Sequence, residues 1–113
     1  MEAITFLGIK VPSEVKKLFP LFNKLQQTTI QKILHLTVQV LKGNELSENQ
    51  FEVFAQELQL DKQVLSITIT AFFIILRSAI RANLKPEVLE KDLQELKFPP
   101  FFIVEIVKVL KSR

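Results

Sequence analysis

A chain of 113 residues is enough for one domain with a real core, and the absence of cysteine excludes a disulfide framework and thiolate metal sites. Its hydrophobic content of 48% is on the high side for a globular domain, its aromatic residues are all phenylalanine, and its net charge is only +3. The charge is uneven, with six Lys against two Glu in residues 1–42, then five acids and no base in residues 43–61. Weak contact with nucleic acid or membrane is compatible with that pattern, but a solvated helical surface accounts for it better.

The first eleven residues, MEAITFLGIKV, form an apolar arm around Gly8 without helical period or a basic leader, so no secretory signal is expected. Pro12 and Ser13 open a short helix over residues 14–19, which Pro20 interrupts. A second helix starts at Thr28 or Thr29 and runs to Lys42. Its inner face is Ile30, Ile33, Leu34, Val38 and Leu41; its outer face is Thr28, Lys32, His35, Gln39 and Lys42. Gly43 is its stop. Ser47 and Gln50 have the spacing of a capping box, and the helix they start turns Phe51, Phe54, Ala55 and Leu58 inward.

Asp61 then caps the helix around which the others are expected to gather. Residues 64–76 carry no charge and little polarity on any side, which predicts a segment enclosed by its neighbours. That run is shorter than the ~20 apolar residues of a membrane span. Ser66-Ile67-Thr68-Ile69-Thr70 alternates like a strand, but Leu65, Ile69, Phe72, Leu76 and Ala79 or Ile80 recur at helical spacing. Arg77 and Arg81 suit the negative end of the helix dipole, and Asn83 with Pro86 closes it. Pro86 opens the next helix, with Leu89, Leu93 and Leu96 as its stripe. After the breaker Phe98-Pro99-Pro100, residues 101–111 form a last amphipathic segment around Ile103, Ile106, Val107 and Leu110. Its β-branched residues leave a strand open as the alternative. The expectation is an all-α fold, a single domain over 1–113. It is a compact orthogonal bundle of about six short helices around a buried central helix at about 62–83.

Chemistry is harder to find. His35 is the single histidine and shares a stripe with Lys32, Gln39 and Lys42, which reads as a solvent-facing side chain. Glu87, Glu90, Asp92 and Glu95 are the densest acidic group, but the pairing of Glu87 with Lys91 and the lack of a cation-binding loop favour a solvated helix face. The serines lack a nucleophile elbow, and two glycines cannot build a phosphate cradle. No enzyme activity, metal site or cofactor is therefore expected. Arg77, Arg81 and Lys85 fall at helical spacing without neighbouring acids and are the candidates for contact with an anionic nucleic acid or lipid. Without Tyr or Trp there is no stacking platform beyond phenylalanine. The other candidates are apolar: Phe6 and Leu7 in the arm, and the corner Phe98, Phe101 and Phe102. Either they cap the open ends of the bundle or they dock another protein.

The order of short motifs resembles the N-terminal helical (HN) domain of the COMM-domain-containing (COMMD) proteins. The resemblance rests on Phe6-Leu7-Gly8 with Pro12 and Glu14-Val15, and on Lys32-Ile33-Leu34 ahead of Leu41-Lys42-Gly43. It continues with Leu84-Lys85-Pro86 and Asp92-Leu93-Gln94-Glu95-Leu96 followed by Pro99. It implies a non-enzymatic adaptor whose relatives assemble with one another through a C-terminal COMM domain and join coiled-coil partners in the Commander complex. The implied role is endosomal recycling of membrane cargo and regulation of NF-κB, with cytoplasmic location, endosome association and nuclear presence all compatible. The C-terminal COMM domain and its Trp-bearing motif do not occur in this sequence, so assembly through that domain is not expected of it. The copper binding associated with the family's founding member gains no support from one His and one Met.

Overall fold

The computed structural model describes residues 13–111, and every regular element in that range is helical. Helix α1, Ser13–Lys16, is a single turn, followed by a 3-10 turn at Phe19–Leu21 whose Pro20 sits where a missing amide is harmless. Helices α2, Gln27–Leu41, and α3, Glu48–Leu58, come next. The capping box forms as expected: Gln50 N donates to Ser47 Oγ at 3.1 Å and Ser47 N to Gln50 Oε1 at 3.0 Å. Helix α4, Lys62–Arg81, begins where Asp61 Oδ1 accepts from Gln63 N at 2.8 Å. Pro86 opens α5, Pro86–Glu95, and Pro100 opens α6, Pro100–Lys111. The alternative left open for residues 101–111 resolves as helix. Ile103, Ile106, Val107 and Leu110 can share one buried face only at a period near 3.6.

Helices α2, α4 and α6 each pack against the other two. Helices α1 and α3 lie against α4, and α5 is held chiefly by α6. Leu65, Phe72, Ile75 and Leu76 of α4 meet Ile30, Ile33 and Leu34 of α2 and Phe102 and Ile106 of α6 in one continuous core. Length and composition alone would let α4 cross a membrane, yet here its buried stripe faces four other helices.

The expectation that α4 is enclosed on every side needs correction. Gln63, Ser66, Thr70, Arg77 and Arg81 are exposed and recur at three- and four-residue steps, so one face meets solvent. The alternation across residues 66–70 that mimics a strand is thereby explained. Ser66 and Thr70 point outward, while the buried Thr68 donates to Val64 O at 2.8 Å and loses no hydrogen bond inside. Thr37 in α2 does the same toward Ile33 O at 2.8 Å.

Helices α2 to α5 end in one recurring device. In each, a residue one or two positions past the end has positive φ, its amide bonds three residues back, and the next amide bonds five residues back. Gly43 (φ 95°) fills this place after α2, whereas Gln59 (57°), Asn83 (52°) and Lys97 (68°) fill it after α3, α4 and α5. The residue that follows these three is Leu60, Leu84 or Phe98, each folded back onto the core. A side chain at positive φ costs about 1 kcal/mol or more, and asparagine tolerates it best. Lys97→Gly relieves that strain at some cost in chain entropy. Chemical denaturation is expected to show it equal to or more stable than the parent by up to about 1 kcal/mol, and Lys97→Val less stable by a similar amount.

One polar link joins α6 to α2 at the edge of the core. Glu105 sits in mid-α6 among apolar residues, 4% exposed. Gln27 Nε2 donates to its Oε2 at 2.8 Å and Gln31 Nε2 at 3.1 Å, tying it to the start of α2. Lys108 Nζ lies 3.7 Å from Oε1. Burial pushes the Glu105 carboxyl up, but the two amides and Lys108 outweigh it and hold it below the ordinary carboxylate range. A carboxyl depressed by folding stabilises the fold above its unfolded pKa of about 4.3. That contribution fades as pH falls through the lower folded value. Glu105→Gln should therefore flatten the loss of stability on acidification, read as the midpoint of urea unfolding at pH 7 and near pH 3. Glu105→Ala should cost about 2 kcal/mol at pH 7.

Candidate functional site

The sequence-predicted candidates fall in three places. Phe6 and Leu7 lie outside the described residues. Phe98 and Phe102, read either as caps of an open end of the bundle or as docking residues, are 4% and 0% exposed. They belong to a ring cluster in which Phe22 lies 4.8 Å from Phe98 and 5.1 Å from Phe102, and Phe72 lies 6.2 Å from Phe102. These are edge-on and tilted contacts of the favourable kind. The capping device after α5 turns Phe98 inward, and Pro100 starts α6 with Phe102 on its buried face, so neither ring is available to a partner. Phe101 remains half-buried, its ring 5.1 Å from Phe102.

Arg77, Arg81 and Lys85 are all exposed. Arg77 and Arg81 share the solvent face of α4, while Lys85 precedes α5 beyond the reversal at Asn83. The Arg77 guanidinium stands 5.8 Å over the Phe73 ring, a contact that covers part of an otherwise open aromatic face. Among the acids grouped on α5, Glu87, Glu90 and Glu95 are exposed, but Asp92 is 5% exposed because it shares the inner stripe with Leu89 and Leu93. Among the described residues no group of three or more His, Cys, Asp or Glu is placed to hold a metal ion.

A further feature joins residues that no motif had connected. Beyond the Glu105 clamp, α2, the end of α4 and the end of α6 leave a half-open groove of about 650 Å³. Leu34, Leu76 and Leu110 are the buried part of its lining, with Val38, Leu41, Ile80 and Val109 more accessible. Gln31, His35, Gln39, Lys42 and Lys108 form its polar edge, and its one acid is the clamped Glu105. The sequence held partial signals: Ile80 at the border of its helix stripe, and an acid in the middle of FFIVEIVKVL. Neither says that three helices converge there.

The split between core and surface phenylalanines is measurable. Phe102→Ala should cost about 3–5 kcal/mol, whereas Phe101→Ala should stay within about 1–2 kcal/mol; equal losses in thermal or urea unfolding would contradict this placement.

The comparisons with known proteins agree with the motif order. The family model described as "COMMD2-7/10, HN domain" matches residues 9–110. The COMM domain-containing protein 5 of Bos taurus is 30% identical over 112 residues, covering 96% of this chain and 50% of the relative. The protein of the same name from Rattus norvegicus is 28% identical over 109 residues, covering 94% and 48%, and that from Homo sapiens is 26% identical over 110 residues, covering 95% and 49%. The chain thus spans about half the length of the curated relatives it matches. The motif order resembles that of the family member numbered five, the number these relatives carry. No solved structure matches the chain. With a family model matched over residues 9–110 and every regular element among the described residues helical, this chain belongs to the COMMD family through its HN domain.

Proposed function

We propose that this chain is a non-enzymatic adaptor domain that serves the Commander complex by binding protein, in support of endosomal cargo recycling and NF-κB regulation. The observation that carries the reading is the HN-domain match over residues 9–110. The surface is consistent with it: the described residues offer an apolar groove with a polar edge. In this reading the partners are other COMMD proteins and coiled-coil Commander subunits, and the protein works in the cytoplasm and at endosomes, with access to the nucleus.

A second reading, a basic module for nucleic acid or anionic lipid, has the exposure of Arg77, Arg81 and Lys85 in its favour. Salt separates the two. Apolar docking should let the immobilised chain retain a coiled-coil Commander subunit at about 0.5 M salt, where exposed charges are screened beyond a few ångströms. Failure to retain it at any salt would sink the adaptor reading. Binding of nucleic acid or anionic vesicles at low salt only, lost on Arg77→Glu with Arg81→Glu, would favour the second.

A further inference from the structure

We propose that the groove between α2, α4 and α6 is a docking site for an acidic, apolar-faced helix of a protein partner; this rests on the chain being an interaction domain. The lining has the composition of a helix-receiving groove. Leu34, Leu76 and Leu110 make an apolar floor, and Val38, Ile80 and Val109 stand more accessible around it. Ile80, 36% exposed, is one of the few large apolar side chains left in water among the described residues. A half-open groove suits a macromolecule better than a small ligand, which a pocket normally encloses on most of its surface. The described residues contain no strand, so a partner finds no edge on which to add one, whereas an apolar floor between helices suits the apolar face of another helix.

Charge selects the kind of helix. Lys42 makes no ion pair among the described residues and stands at the groove edge. Lys108 stands at the opposite wall, 66% exposed, with only a 3.7 Å contact to Glu105. Glu105 itself is turned inward and held by Gln27 and Gln31, so no exposed carboxylate borders the groove. Acids flanking the apolar stripe of an incoming helix would meet Lys42 and Lys108, whereas lysines there would meet like charge.

The test uses a synthetic helix of about five turns with leucines at i, i+3, i+4 and i+7 and glutamates flanking them, beside a counterpart carrying lysines instead. In fluorescence anisotropy the glutamate peptide should bind at least about tenfold tighter than the lysine peptide. Ile80→Glu and Lys42→Glu, both at exposed positions, should each weaken binding by about tenfold with the melting curve unchanged. Backbone amide shifts on binding should concentrate at residues 34–42, 76–80 and 105–110. Equal binding of both peptides, no binding of either, or shifts centred elsewhere would overturn the assignment. So would self-association of the chain that Ile80→Glu abolishes, because a second copy would then be the occupant. Retention of the coiled-coil subunit by the Ile80→Glu and Lys42→Glu variants, together with a failed peptide test, removes the groove assignment and leaves the adaptor reading intact. Peptide binding in the groove without retention of that subunit does the reverse.

Discussion

The mutual packing of α2, α4 and α6 is the constraint on which the rest of this domain depends. Each of the three buries its stripe against the other two, while α1 and α3 are attached chiefly to α4 and α5 chiefly to α6. Helices α1 and α5 have 4 and 10 residues, too short to persist alone in water, and exist because that surface is there to receive them. Phe102, fully buried and in ring contact with Phe22, Phe72, Phe98 and Phe101, is where α6, α4 and the segment after α1 meet. The cluster is apolar throughout, so it fixes the meeting point through shape and area alone.

Direction is added by the polar groups, which are few. The carboxylate of Glu105 is taken out of water, which disfavours its charged form, and the amides of Gln27 and Gln31 with the ammonium of Lys108 supply enough in return to keep it ionised. Because these interactions exceed the desolvation cost, the ionised carboxylate adds to stability above its unfolded pKa. It also penalises wrong registers: sliding α6 by one residue would place the carboxylate among Leu and Ile side chains. The turns give direction of a second sort. With the chain reversed at Gln59, Asn83 and Lys97 by the same backbone geometry, the residue after each turn is returned to the core.

Core and surface are consequently divided along lines unlike the division of hydrophobic from polar sequence. The FPPFF corner is mostly structural because its rings close the bundle. The open apolar surface lies where α2 and α6 leave a groove beside the end of α4. The groove itself repeats that division: its floor, Leu34, Leu76 and Leu110, belongs to the core, whereas Ile80 and Lys42 along it are exposed.

Much of this was legible in the residues themselves. Helix boundaries followed from local chemistry: the Asp61 cap, the Ser47–Gln50 box, Pro86 at a first position, the Phe98-Pro99-Pro100 breaker, and Gly43 past an end. Local chemistry acts within one turn and needs no partner. The stripes Leu89–Leu93 and Ile103–Ile106–Leu110 followed from periodicity for the same reason. Tertiary structure decided what periodicity leaves open, namely which face has a neighbour. Residues 64–76 carry apolar groups all round, so only packing could show that Ser66, Thr70 and Arg77 mark the solvent side. Phe98 and Phe102 are as hydrophobic as any docking residue, and only the turn at Lys97 and the placement of α6 send them inward. The groove is built from residues up to 79 positions apart, Gln31 to Leu110, and no local pattern encodes a surface that exists only where three helices meet.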